Sequence, residues 1–433
     1  MDWKSNRADL ANWLTRTLEL DVRFYGRSIA LLTFGYASSV FRGVATTFLM
    51  ARWLPKETLG QFRYVLALFG MAGMFALTGM SSSVIRAVAQ GDTIVARLAF
   101  KRVLTFAPLG SLALLLAAAE RAWHGEPVVA SALAFAGIAF TPYAVSGFYG
   151  HILTGQQKIR ELTQVAVVNN LLFAILFVML LRANRGLLTV TVAYFGLDVA
   201  IRGYFTWREM RRLPIQGSAE GHLSLGHHLS AIGVIQTIAA QLDQVLVKWF
   251  GGYGTLASFS VATVIPEQIK DFVNSISGTV LQRLSRHERT NAHVRATRRH
   301  FWLAMCGSAV IVAGYAIVAP FVIPWLFPQY SDVVLPSIVY AVGLLALPAV
   351  VGLFFFQAHN EIKRLWRFYV IQTVLQMAAN IALIPTFGAW GAIWSKTGTR
   401  LVSLLVSYPS YDPDSARSAS TVRPNDGPDR DAK

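Results

Sequence analysis

Residues 229–250, LSAIGVIQTIAAQLDQVLVKWF, and residues 255–281, TLASFSVATVIPEQIKDFVNSISGTVL, flank the four residues Gly251-Gly252-Tyr253-Gly254. Three glycines in four positions read as a turn. Each flanking run is long enough to cross the ~30 Å hydrocarbon core of a bilayer as a helix. Yet both runs carry charges. The first holds Asp243, and the second holds Glu267, Lys270 and Asp271, with Pro266 and Asn274 beside them. An ionisable side chain near the bilayer centre costs about 2.5–3.5 kcal/mol on insertion scales. Such groups are tolerated where they face a wet, protein-lined interior, so this pair of runs is where a passage through the protein is expected.

The rest of the chain agrees with a bilayer. Its 433 residues are 54% hydrophobic and only 14% charged, with a mean hydropathy of +0.46. Soluble chains average about a quarter charged residues, so composition alone predicts an all-α integral membrane protein. Lys and Arg outnumber Asp and Glu by 39 to 23. The basic residues sit in short clusters between apolar spans, which is the pattern of cytoplasmic loops rather than of a surface tracking nucleic acid. Cys306 is the single cysteine, which excludes an intrachain disulfide and a thiolate cluster. None of the nine histidines falls in a His-x3-His or HExxH spacing, so neither a metal nor another cofactor is expected.

In chain order, residues 1–27 are too charged for a signal peptide and place Leu10, Trp13, Leu14 and Leu18 on one helical face. This is the pattern of a short helix on the cytoplasmic membrane surface, with a frayed charged tail as the alternative. Hydropathy then predicts about twelve spans, six in a lobe over 28–212 and six in a lobe over 228–407, joined by a cytoplasmic linker over 213–227. The last residues, 408–433, are rich in Ser, Pro and Asp and are expected to be disordered; their Asp412-Pro413-Asp414 is a chance match to a metal-binding DxD. Clusters such as Arg208, Arg211 and Arg212, or Lys363, Arg364 and Arg367, fall on the same side as the N-terminus, so both termini are expected in the cytoplasm. A repeat links the halves. Arg52-Trp53-Leu54 with Thr58-Leu59-Gly60-Gln61-Phe62 matches Lys248-Trp249-Phe250 with Thr255-Leu256-Ala257-Ser258-Phe259, six spans later, as in transporters built from parallel repeats.

Several other charges lie inside spans. Asp198 and Arg202 are spaced i,i+4 and read as a structural ion pair. Arg63 lies one turn into the second span, where it can snorkel outward as an anchor. Arg42 is too deep to snorkel and is either a cavity cation or the partner of a buried acid. Lys396 and Arg400 form an i,i+4 basic stripe on the last span. Glu267, Lys270, Asp271 and Asn274 share one helical face, and pairing of Lys270 with either neighbouring acid is the alternative to a site. Asp243 has Gln236 and Gln244 near it but no cation on its own helix.

Three stretches carry a family resemblance. One is Gln241-Leu242-Asp243-Gln244-Val245-Leu246, followed by Phe250, the glycine turn and Leu256-Ala257-x-Phe259-Ser260-Val261-Ala262. The second is Ala379-Asn380-Ile-Ala-Leu-Ile-Pro385-Thr-Phe-Gly388-Ala-Trp-Gly391-Ala392, and the third is Arg52-Trp53-Leu54-Pro55-x-Glu57-x-Leu59-Gly60-Gln61-Phe62. In these the chain resembles the polysaccharide (O-antigen, Wzx-type) flippases of the multidrug/oligosaccharidyl-lipid/polysaccharide exporter superfamily. The resemblance implies two six-helix lobes around a central cavity that opens alternately to either side. It further implies transport of undecaprenyl-diphosphate-linked oligosaccharides across the bacterial inner membrane, in exchange with H+ or Na+, for lipopolysaccharide and other surface polysaccharides. On that reading Arg42, Lys270, Lys396 and Arg400 are the cations for the diphosphate, and Asp243, Glu267 and Asp271 are the ion-coupling acids. Membrane lipids and polymerase or export machinery would be its partners. A cation-coupled multidrug exporter of the same fold is the alternative, although it would favour an acid-lined cavity. A major-facilitator transporter ranks lower, because the loop Arg86–Arg102 lacks the Gly-x-x-x-Asp-Arg-x-Gly pattern. An enzyme is not expected: no external loop exceeds about a dozen residues, and there is no Ser/His/Asp set or phosphate-binding glycine loop.

Overall fold

The computed structural model describes residues 22–218, 222–284, 291–350, 353 and 362–407. The surface helix expected over 1–27 lies mostly outside the described residues, and the tail over 408–433 lies wholly outside them. What is described is helical. In chain order the main helices are α1 (Val22–Trp53), α2 (Lys56–Ala72), α3 (Met80–Gln90), α4 (Ile94–Trp123), α5 (Pro127–Ser146), α6 (Phe148–Gly155) and α7 (Ile159–Ala183). There follow α8 (Leu187–Thr191), α9 (Leu197–Arg212), α10 (His222–Leu284), α11 (Asn291–Leu326), α12 (Val334–Val342), α13 (Ile362–Phe387) and α14 (Ala389–Ser407). Among the described residues, nine helical segments are long and apolar enough to cross a membrane, fewer than the twelve spans expected. One of the nine, His222–Asn274, contains two of the expected spans.

Gly252 divides that one. It takes φ 79° and ψ 179° in the middle of α10, a conformation that glycine adopts without the penalty a Cβ incurs. The break divides α10 into two limbs. The first runs along α2 and α3 and the second returns beside α1, where Gln268 lies against Gly43. We call the side carrying Gly251–Gly254 the turn face and the side carrying residues 213–218 the linker face.

Small residues bring the two halves of the chain together. Gly60 on α2 packs against the carbonyl of Tyr253, and Gly79 packs against the backbone nitrogen of Ser230; a Cβ at either position would overlap main chain. Gly70, between them, lies against the side chain of Gln241. α2 and the first limb of α10 are therefore seamed along their length, as lipid-embedded helices commonly are through glycine. Beside the seam, the apolar interior of the first half is built on aromatic rings. Phe69 stacks on Phe195 at 4.1 Å and meets Phe140 and Tyr143 edge-on at 5.1 and 5.0 Å. Phe195 belongs to a π-helical turn over Val192–Gly196, whose wider backbone lets consecutive residues Tyr194 and Phe195 reach the interior.

The linker is fastened to the first half. The amide of Gln216 donates to Thr93 Oγ1 at 3.1 Å, and the amide of Ser218 donates to Asp92 Oδ1 at 3.0 Å. Non-helical backbone thus runs from Leu213 to Ser218, and α10 has begun by His222, earlier than the expected start at 228.

Candidate functional site

The second limb of α10 builds one wall of a cavity of about 610 Å³. Helical spacing puts Thr263, Glu267, Lys270, Asp271 and Asn274 on the face that lines it. α12 supplies Tyr340, α13 supplies Tyr369 and Gln372, and α14 supplies Lys396, Thr399 and Arg400. Gln244 comes from the first limb of α10, and among the described residues Arg63 of α2 is the single lining residue from the first half of the chain. Among the described residues this cavity is lined mainly by the second half of the chain.

The i,i+4 stripe on α14 reaches two acids on different limbs of α10. Lys396 Nζ lies 2.8 Å from Asp243 Oδ2, and Asp243 is completely buried. This is the cation that Asp243 lacks on its own helix. One turn along α14, Arg400 donates to Glu267, which also accepts from Lys270 and from the hydroxyl of Tyr340. Gly343, facing α14, leaves space for the Arg400 side chain. Lys270 also stands 3.7 Å from Asp271, whose side chain is about half exposed. The local pairing available to Lys270 in sequence therefore forms, but Arg400 joins it on Glu267.

Among the described residues the acids at this depth are paired. Each acid at this depth has a cation against it, because charges that hydropathy places on separate spans meet across helices. A buried carboxylate without a counter-charge would be costly by several kcal/mol. Among the described residues the cations nevertheless exceed the acids: Arg63, Lys270, Lys396 and Arg400 face or line the cavity, against Asp243, Glu267 and Asp271. Two guanidinium nitrogens here, Arg63 Nε and Arg400 Nη1, are buried without a hydrogen-bond partner among the described residues. The arrangement suits an anion.

Arg42 is placed elsewhere. Its Nη2 is 2.9 Å from Asp198 Oδ1, its guanidinium lies 3.6 Å over the Phe173 ring, and it is absent from the cavity lining. Arg202 contacts the same carboxylate at 3.3 Å, so the i,i+4 pair seen in sequence is one side of a three-residue cluster. Of its two readings, Arg42 takes that of a partner for a buried acid. Arg63 goes the other way. Read in sequence as an outward anchor, it points to the cavity wall and donates from Nη2 to Thr47 Oγ1 at 2.9 Å. Tyr340, fully buried and bonded to Glu267, carried no sequence signal beyond a hydroxyl in an apolar span.

With the geometry in hand, the chain can be set beside known proteins. The profile of the polysaccharide biosynthesis protein family matches residues 26–286, more than half of the chain. The chain belongs to this family. No curated protein matches the sequence. Among solved structures, the lipid II flippase MurJ in an inward closed conformation superposes with a TM-score of 0.65 at 13% identity, covering 88% of this chain and 86% of that one. A multidrug resistance MATE family transporter of the MOP superfamily, outward-facing, gives 0.63 at 15% identity, covering 88% and 93%. A MOP superfamily transporter from Pyrococcus furiosus, described with a binding pocket of reversed polarity, gives 0.59 at 15%, covering 88% and 94%. At such identities the likeness establishes the fold alone. This family member is a multi-pass helical membrane protein with the MOP transporter architecture.

Proposed function

We propose that the protein flips a lipid-linked oligosaccharide, carried on a polyprenyl diphosphate such as undecaprenyl diphosphate, across the bacterial inner membrane. The observation that carries this reading is the convergence of four cations on one cavity within a lipid-embedded helical protein. A diphosphate is a compact, multiply charged anion, and charge-assisted bonds to it are least screened at membrane depth. Lys270, Lys396 and Arg400 hold the diphosphate, each released from its acid as the substrate enters. Asp243, Glu267 and Asp271 then carry the balancing charge of a coupling ion. Membership of the polysaccharide biosynthesis family supports the glycan half of the substrate. The two halves, 28–212 and 228–407, act as lobes that change their relative tilt, with both termini in the cytoplasm and no enzymatic step. Export of an O-antigen or related surface polysaccharide, with a polymerase acting on the product, is the cellular role.

The test is surface glycan in a strain whose only copy carries Arg400→Gln, with protein level measured in the membrane fraction. Loss of surface glycan with normal protein supports the reading; full export refutes it. A drug exporter of the same fold would instead show drug hypersensitivity on deletion. Its cationic substrates would meet a cavity whose cations outnumber its acids, so unchanged drug sensitivity is expected.

A further inference from the structure

A second cavity, of about 710 Å³, lies on the turn face among Lys56, Glu57, Tyr253, Asp332 and Trp390. It and the first cavity lie end to end along the same helices. On α10 the turn-face cavity reaches Ala262 while the other begins at Phe259 and Ser260, so the two overlap there; on α14 Ile393 lines the turn-face cavity and Lys396 the other. On α12, Pro336 lines the turn-face cavity and Tyr340 the other. The two spaces therefore adjoin, overlapping along α10 and standing about one helical turn, ~5.4 Å, apart on α12 and α14. Among the described residues a single one lines both: Phe259.

Phe259 is buried, and the Lys396 ammonium lies 5.9 Å from its ring centre. The helices around the ring are tied together at this level. Ser337 Oγ donates to the carbonyl of Ala262 at 2.6 Å and is itself bonded to the Tyr315 hydroxyl. Phe259 is thus the side chain common to both cavities, set in a frame of hydrogen-bonded helices, where side chains move between rotamers more readily than helices part.

We propose that the two cavities form one aqueous route through the second half of the protein, that the Phe259 ring closes it, and that it delivers protons to Glu267. The proposal rests on the reading that the substrate is an anion. Around Glu267 stand Lys270 and Asp271 on its own helix, Tyr340 from α12, Tyr369 from α13, Lys396 and Arg400 from α14, and Arg63 from α2. While Lys270 and Arg400 hold its carboxylate, Glu267 stays ionised. When an entering anion draws those two cations away, a carboxylate is left buried and unpaired, and neutralisation is its favoured state. A hydronium arriving past Phe259 gives up one proton, an O–H bond forms on the Glu267 carboxyl, and water is returned. A metal cation fits this path poorly. No set of three acidic, His or Cys ligands that could hold one occurs among the described residues. The acids Glu57 and Asp332 against Lys56 make the mouth attractive to protons.

The test uses the full chain with Cys306→Ser, reconstituted in vesicles, and a cationic, membrane-impermeant methanethiosulfonate added outside. Ser258→Cys, in the turn-face cavity, identifies the vesicles whose turn face is outward and reports that each variant is folded. In those vesicles Thr263→Cys should react slowly when Phe259 is present and about tenfold faster or more with Phe259→Ala, as expected for removal of a barrier of at least ~1.4 kcal/mol. Phe259→Ala vesicles should also lose an imposed pH gradient faster than wild type, read with an entrapped pH dye, whereas Phe259→Leu should keep it. Should Phe259→Ala fail to insert, Phe259→Ser replaces it under the same reading. Unchanged Thr263→Cys reactivity alongside a reactive Ser258→Cys overturns the route. Faster labelling with an intact pH gradient overturns the proton assignment. Neither result touches anion binding by Lys396 and Arg400, which is measured separately.

Discussion

Removing Lys396 should leave Asp243 fully buried and without a counter-charge, and the size of that effect follows from the geometry. At 2.8 Å and an effective dielectric near 20, the attraction between the two charges is about 6 kcal/mol. Much of it offsets the cost of holding a carboxylate where nothing of it reaches solvent. Taking away only the ammonium removes the attraction and keeps the cost, so Lys396→Met should lose about 3–5 kcal/mol of stability. Asp243→Asn in the same chain removes the stranded charge. The double variant should therefore recover most of the loss, since replacing both members of a buried pair is commonly neutral. Thermal and denaturant unfolding in detergent, followed by the fluorescence of the protein's 11 tryptophans, completes the double-mutant cycle. A Lys396→Met protein as stable as wild type would refute the reasoning, as would a double variant that falls by the sum of the two singles.

Other sites should respond according to their surroundings. Arg42→Ala should cost about 1.5–3 kcal/mol, less than Lys396→Met, because Asp198 keeps Arg202 at 3.3 Å; unfolding of the two variants in parallel gives the ranking. Lys56→Ala should change stability by no more than about 1 kcal/mol, since its bridge to Asp332 spans 3.4 Å between side chains 37% and 60% exposed. Gly60→Val should sharply lower the yield of folded protein in size-exclusion chromatography, because its side chain would run into the Tyr253 carbonyl. The same change at Gly150, with open space around it, should leave the yield near wild type.

Composition made the all-helical membrane class legible, and the three quoted stretches made the family legible, because apolar length and turn chemistry are local properties. Gly251–Gly254 announced the reversal that Gly252 makes. Partners across helices were not legible. That Lys396 reaches Asp243 and Arg400 reaches Glu267 depends on how α14 is rotated against the two limbs of α10, which hydropathy leaves open. The same limit explains Arg42 and Arg63. Both are arginines within apolar helices, and only packing decides that one turns to Asp198 and Phe173 while the other turns to the cavity. The closeness of α2 to α10 was hidden as well, because it depends on glycines 60, 70 and 79 meeting backbone and side chains far along the chain.

The central claim, that the cavity's cations receive a diphosphate, is tested most directly by binding. Purified protein in lipid nanodiscs is titrated with undecaprenyl diphosphate and, in parallel, with uncharged undecaprenol. We expect the diphosphate to bind more tightly by at least about tenfold, a difference of ~1.4 kcal/mol, and Arg400→Gln to erase most of that preference. Equal affinity for the two lipids in the wild-type protein, or a preference untouched by Arg400→Gln, would contradict it.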